Sequence, residues 1–457
     1  MRHKIHQMKV DKTKLSSNLV KERELYLQRN PKSLALFNSA TNLFGQVPMT
    51  WMNKWAGGFP IYLDHAKGNR ITSVDGHTYI DFALGDTAAM AGHSPDAVSD
   101  AINNRYTKLG GATTMLPTAD AQWVSNELAK RFKVPLWSFS LSATDANRWA
   151  LRLARMVTGR SKVLAFSYGY HGTVDETFVV SGPNGETTLR PGNVGAPGNI
   201  NDTTRVAEFN DLDSVEKALA NGDVAVIITE PALTNIGIVL PEPGFLEGLR
   251  ELATKYGSLL LIDETHTFSA GIGGMTKANN LNPDIVTIGK SIGGGIPSGA
   301  YGITKELAEK ATKQTGADLV DVGGVGGTLS GNALSIAAMR ATLEKVLTEE
   351  NFSHMIKLAT KFTNEVQQVL DETKVDWSIS QLGARAEYRF ANPAPINGSD
   401  SAEASDDELD EYMHLFTINR DILMTPFHNM ALMCPVTKES DVDRHTEIFR
   451  EAVNSII

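Results

Sequence analysis

The chain has 457 residues, 42% of them hydrophobic and 21% charged, and its formal net charge is −10. That length exceeds one simple core, so two domains are expected, the smaller built from the termini. The acidic balance argues against a nucleic-acid binder, which carries a basic face or tail. No apolar run approaches the length of a membrane span. A lone cysteine, Cys434, excludes an internal disulfide and a thiolate metal cluster, and no metal site is expected.

The opening stretch is polar, mixed in charge and without an apolar h-region. No secretory signal is expected, and a cytoplasmic location is. The first forty residues read as a charged, helix-capable arm. "RITSVDGHTYIDFALG" (70–85) predicts a hairpin turning at Asp75-Gly76. "SPDAVSDAINNRYTKL" (94–109) predicts a helix with Ser94 as N-cap and Pro95 at its first position. From about 136 to 302, short apolar runs alternate with helical segments. The runs at 137–141, 162–167, 224–229, 259–263, 285–289 and 299–304 predict strands, several of them apolar throughout, as strands covered on both faces are. The alternation predicts an α/β domain with a mainly parallel sheet flanked by helices. Within it, 241–257 reads as a helix with a glycine stop, and the Gly/Pro-rich 182–199 as a loop. A long helix over 331–347 leads to a different region. There 383–390 and 421–427 read as strands, separated by an acidic stretch that begins as a loop and becomes a helix near Asp406; a last helix covers 439–456. The expected division is 1–75 as arm and part of a small domain, 76–345 as the large domain, and 346–457 as the C-terminal small domain.

Four features fall at strand ends or tight turns of the large domain, where open α/β sheets bind ligands. "SLSATDANRWALRLAR" (140–155) is a strand, a small-residue turn and a helix start. Ser142, Ala143 and Thr144 there suit a phosphate, while Thr144 or Asp145 as an ordinary N-cap reads equally well. "SYGYHG" (167–172) sets Tyr170 and His171 after a strand, either to stack a flat ring or as core aromatics. "LLLIDETHTF" (259–268) ends an apolar run at Asp263, whose carboxylate needs a cationic or N–H partner. "PDIVTIGKSIGGGIP" (283–297) ends another at Lys290, against a glycine run. A lysine that loses its charge at such a place is a nucleophile. A carboxylate, an aromatic, a phosphate cradle and a lone lysine together match the needs of pyridoxal phosphate.

The order and spacing of "VDGHTYIDF", "GHSPDAV", "ATDANRWALRLAR", "YHG", "EPALTNIGIVLP", "LLIDETHTF", "GKSIGGGIPSGAYG" and "GGTLSGNALSIAA" resemble the class III aminotransferases. Nearest is the branch holding glutamate-1-semialdehyde aminomutase and the β-amino-acid aminotransferases. The resemblance runs from about residue 57 to the end. It implies fold type I of the pyridoxal-phosphate enzymes, with a seven-stranded sheet in the large domain and a smaller α+β domain from the two termini. It implies that Lys290 forms the Schiff base and moves the substrate proton, and that Asp263 pairs with the ring nitrogen. Tyr170 resembles the ring-stacking aromatic, with His171 beside it, and Ser142, Ala143 and Thr144 the phosphate turn. Glu230 and Asn235 resemble further elements beside the cofactor. Thr328 resembles a threonine that reaches the phosphate of a neighbouring subunit, which implies a homodimer. Thr265 stands where the family carries a small aliphatic residue, and can still pack on the ring through its methyl. His266, next to it, reads as a packed histidine in preference to a proton relay or a phosphate neighbour. "FSAGIGG" replaces the arginine usual after this motif, which removes the customary local salt bridge.

The implied activity is ping-pong amino transfer from an amino acid, including β- or D-amino acids, or a primary amine to pyruvate or 2-oxoglutarate, with pyridoxamine phosphate as the form left between half-reactions. Intramolecular transfer of the glutamate-1-semialdehyde type is the alternative, and an inactive regulatory subunit is argued against by the presence of Lys290 and Asp263. For the substrate, Arg385 and Arg389 lie on one face of a strand by alternation, as a carboxylate clamp or as a structural ladder through Glu387. His428 and Asn429 fall in a stretch where the branches differ. Trp55, Asp86 and Met90 are expected at the entrance to the pocket.

Overall fold

The computed structural model describes residues 10–314 and 323–457. They form two compact units: the N-terminal stretch through Ser94 with Ser353–Pro395 and Ala404–Ile457, and Pro95–Phe352 with Ile396–Glu403. Among the described residues, no helix is long and apolar enough to cross a membrane.

The second unit is built on a seven-stranded sheet. Its strands are β1 (Leu136–Ser140), β2 (Lys162–Phe166), β3 (Thr204–Ala207), β4 (Val224–Thr229), β5 (Leu259–Asp263), β6 (Ile285–Gly289) and β7 (Gly299–Ile303). Their order across the sheet is β1-β7-β6-β5-β4-β2-β3. The pairs from β6 to β3 are parallel, and β7 runs antiparallel to both β6 and β1. Every residue of β4 and of β6 is buried, which is why both are apolar without alternation. Helix α1 (Ala143–Thr158) lays Ala150, Leu151 and Ala154 against Val226, Ile228, Leu261 and Ile285 in the core of this unit. Helix α2 (Phe245–Tyr256) stops at Gly257, whose φ of +63° only glycine adopts without cost.

Three local expectations for this unit need correction. The stretch 182–199 is not all loop: Thr187–Leu189, rich in β-branched threonine, pairs antiparallel with Val179–Ser181. The helix over 94–109 begins at Asp96 with Pro95 as N-cap, because Ser94, at φ 47°, lies outside the extended conformation that a capping residue needs. The acidic stretch is already helical over Gly398–Glu403.

In the first unit Asp406 caps a separate helix, Asp407–Ile418, by accepting the Leu409 amide at 3.1 Å. Strands Arg70–Ser73 and Thr78–Asp81 form the expected hairpin, with the Ser73 amide bonded to His77 O at 2.9 Å. The arm becomes helices Lys12–Arg29 and Pro31–Ser39, the first burying Leu15, Leu19 and Tyr26. Strand Arg385–Arg389 is buried at every position, whereas of 421–427 only Ile422–Leu423 is a strand.

Candidate active site

β5 and β6 are parallel neighbours, and Asp263 at the end of one stands in register with Thr287 of the other. Three residues past Thr287, the chain turns at Lys290 with φ 49°, a left-handed conformation that costs a lysine free energy and that clusters at functional sites. Lys290 Nζ lies 2.9 Å from His266 Nε2, so the half-buried histidine after the Asp-Glu pair touches the lysine amine. Of the roles open to His266 in the sequence, this contact favours one in handling the lysine's proton.

Asp263 is buried and held by four donors. Oδ2 accepts from Asn147 Nδ2 (2.8 Å) and His171 Nδ1 (2.9 Å), and Oδ1 accepts from the Thr265 amide (3.0 Å) and hydroxyl (2.6 Å). Burial pushes this carboxyl up, but the hydrogen bonds from His171, Thr265 and Asn147, with the charge of His171, outweigh it and hold the pKa below the usual value. The result is a preformed buried anion at the end of a strand. Asn147, on the buried face of α1, also accepts from the Thr287 hydroxyl at 2.6 Å, tying helix to sheet beneath the site. Nothing in the sequence reading singled out Asn147; its only signal was a polar residue on an apolar helical face. His171 Nε2 is buried without a hydrogen-bond partner.

Glu264, next in the chain, points elsewhere. It accepts from the Thr267 hydroxyl (2.6 Å) and from the Thr276 amide and hydroxyl (both 2.5 Å). Those neutral donors take the place of the missing arginine, and burial consequently raises the Glu264 pKa.

The start of α1 is capped by Ser142, whose Oγ accepts the Asp145 amide at 3.2 Å, so neither Thr144 nor Asp145 is the cap. Glycines crowd the same turn. A Cβ on Gly289 would meet the Ala143 amide nitrogen at 2.8 Å, and one on Gly172 the Thr144 hydroxyl at 2.0 Å. The chain keeps side chains away from the Ala143 and Thr144 backbone, at the positive end of a 16-residue helix. This is the cradle a phosphate requires. With the anion at Asp263 and the amine of Lys290, the residues fit pyridoxal phosphate at its three functional ends.

Tyr170 stands edge-on to Phe178, with ring centroids 6.2 Å apart. Asn235 Oδ1 accepts from Arg190 Nη2 at 2.8 Å. Arg190 lies in the stretch read as a loop and was not among the expected site residues. Glu230 is buried just past β4 and bonded to the Thr234 hydroxyl. Burial pushes it up to about 7, with His171 and Thr234 pulling the other way. Thr328 is exposed.

The expected substrate residues all belong to the first unit. Arg385 bonds the Thr87 hydroxyl, Arg389 the Ser405 hydroxyl at 3.1 Å, and Glu387 lies 3.4 Å from His428 Nδ1. Asn429 donates to Asp410 at 2.7 Å. Met90 is fully buried, Trp55 and Asp86 half-buried, and Asp86 has a positive φ of 48°.

The family model for Aminotransferase class-III matches residues 51–451. A glutamate-1-semialdehyde 2,1-aminomutase of Staphylococcus haemolyticus is 33% identical over 407 residues, covering 87% of this chain and 92% of its own. A solved glutamate-1-semialdehyde-aminomutase of Pseudomonas aeruginosa PAO1, a lysine-to-alanine variant in complex with PMP, superposes with a TM-score of 0.95 at 42% identity, covering 98% of this chain and all of its own. A β-phenylalanine aminotransferase of Variovorax paradoxus superposes with a TM-score of 0.85 at 25% identity, covering 96% of this chain and 97% of its own. A lysine and a buried aspartate at adjacent strand ends, a phosphate cradle at the start of α1, and these likenesses along nearly the whole chain lead to one assignment: this is a pyridoxal-phosphate enzyme of fold type I, and it belongs to the class III aminotransferases.

Proposed function

We propose that the chain moves an amino group within a single substrate, as a glutamate-1-semialdehyde 2,1-aminomutase does, from carbon 2 to carbon 1 of an amino aldehyde carrying a distal carboxylate. The observation that carries this reading is the gradient of likeness: 42% identity to the solved Pseudomonas aminomutase against 25% to the β-phenylalanine aminotransferase, at nearly equal coverage. Transfer to pyruvate or 2-oxoglutarate is the second reading, favoured by the aminotransferase neighbour.

When bound, pyridoxal phosphate supplies an electron sink for the carbon that loses its proton. Asp263 would hold the ring nitrogen of that group, with Asn147, His171 and Thr265 holding the carboxylate so that it need not reorganise as charge shifts. Lys290 Nζ takes the proton from the amine-bearing carbon and returns it at the other end of the transfer. His266, 2.9 Å away, shares a hydrogen bond with that amine and holds it in position. The amides of Ala143 and Thr144 would hold the phosphate, and Tyr170 would pack against the ring. We further propose a homodimer in which exposed Thr328 completes the partner's phosphate site.

The test is to give the cofactor-loaded protein glutamate 1-semialdehyde with no keto acid. Many turnovers to the isomeric amino ketone, abolished in Lys290→Ala, are expected. Turnover only after pyruvate or 2-oxoglutarate is added would defeat the aminomutase reading in favour of the second.

A further inference from the structure

Arg190 follows strand Thr187–Leu189, and its amide is fixed to Phe178 O at 2.9 Å. Its guanidinium is half-buried. Nη2 donates to Asn235 Oδ1 at 2.8 Å, Nη1 reaches Gly169 O at 3.5 Å, and Cζ sits 5.3 Å from the centre of the Tyr168 ring. These are neutral acceptors and a π face. Among the described residues no carboxylate pairs with it, and the acid whose field reaches it, Glu230, is itself held near neutrality by burial. A guanidinium drawn partly out of water without an anion is an uncompensated charge. Burial accordingly lowers its pKa.

The position of its two anchors says where the missing anion belongs. Gly169 lies in the turn after β2, two residues before His171, which bonds Asp263. Asn235 lies in the turn after β4, five residues beyond Glu230. Both turns follow the carboxyl ends of adjacent parallel strands, the edge on which Asp263 and Lys290 stand. Of the five N–H donors of a guanidinium, two are engaged, which leaves enough for a bidentate grip. The cofactor phosphate already has its cradle at the start of α1.

We propose that Arg190 is the residue that reads the substrate's carboxylate, with Asn235 holding its fork in orientation. The inference rests on the amino-transfer reading above and adds to it which residue grips the substrate's carboxylate. Selectivity then comes from a loop of the cofactor-binding unit.

The probe is glutarate, which carries carboxylates and no amine, titrated calorimetrically into wild type, Arg190→Gln and Arg190→Lys, each with and without bound pyridoxal phosphate. Losing a charge-assisted pair should raise the glutarate Kd about ten- to hundredfold in Arg190→Gln. The KM for the amino aldehyde should rise in step. Cofactor absorbance should stay as in wild type, and Arg190→Lys should recover part of the loss. Asn235→Ala, which frees the fork without removing the charge, should weaken glutarate several-fold and serves if Arg190→Gln does not fold. An unchanged glutarate Kd in loaded Arg190→Gln would overturn the proposal. So would lost cofactor affinity with glutarate binding intact, which would assign the guanidinium to the phosphate. A wild-type chain that takes up no pyridoxal phosphate yet binds glutarate through Arg190 would overturn the amino-transfer reading and leave the clamp standing.

Discussion

Glu230 should make the protein less stable as pH rises from about 4.5 to about 7, and Glu230→Gln should remove that loss. The side chain is 2% exposed, and burial pushes its pKa from 4.5 up to about 7. The folded state therefore keeps a proton that the unfolded chain releases near pH 4.5. A raised pKa contributes stability that is fully present below the unfolded value and is lost as pH climbs to the folded one. At 1.36 kcal/mol per pH unit, the loss across that window is about 3 kcal/mol. Between about pH 5.5, where the unfolded carboxyl is already mostly ionised, and about pH 8.5, where both states are, about 2 kcal/mol of it remains to be seen. Gln keeps the shape and the Thr234 contact but cannot ionise. Urea unfolding of wild type and variant at the two pH values cancels the titrating groups that do not interact with Glu230 in the difference between them. The variant should gain about 2 kcal/mol on wild type from the lower to the higher pH. An equal difference at both would refute the argument, because it would mean that Glu230 is ionised in the folded protein throughout.

Two other substitutions test the frame of the site. Gly289→Ala puts a methyl 2.8 Å from the Ala143 amide nitrogen, so the phosphate turn must shift. We expect a loss of about 1–3 kcal/mol in thermal stability and a weaker hold on the cofactor in absorbance titrations. Asn147→Leu removes one of four donors to Asp263 and strands the Thr287 hydroxyl. It should cost about 1.5–3 kcal/mol in urea unfolding, and Asn147→Asp should cost more, since it sets a second carboxylate beside the first.

The sheet was legible where burial is complete. Val224–Thr229, Leu259–Asp263 and Ile285–Gly289 were bounded correctly from their apolar runs, and both strand ends that matter, Asp263 and Lys290, followed from those bounds. β3 was missed because "TRVA" is a four-residue edge strand with a half-exposed arginine, too short for a periodic signal. Thr187–Leu189 was hidden by the glycines and prolines around it, and Arg190 with it. Asn147 and Arg190 share a further reason. Their partners, Asp263 and Asn235, lie 116 and 45 residues away, and one sequence carries no record of which distant polar atoms meet. The Ser94 and Asp406 boundaries turned on backbone angles and on a short helix that composition does not reveal.

The inserted antiparallel strand also bears on how the chain is made. β1 sits at the sheet edge and its one neighbour there is β7, so Ser140 waits for Gly299, 159 residues later. At about 5–20 residues per second that wait on the ribosome is roughly 8–30 s. Throughout it, the edge of β1 and the turn that will cradle the phosphate have no sheet to hold them. The strand that brings Lys290 emerges just ahead of the one that closes the gap. Closure of the β1 edge, and with it of the cofactor site, is thus a late event in synthesis, and chains halted before residue 299 should be the ones that chaperones and proteases find.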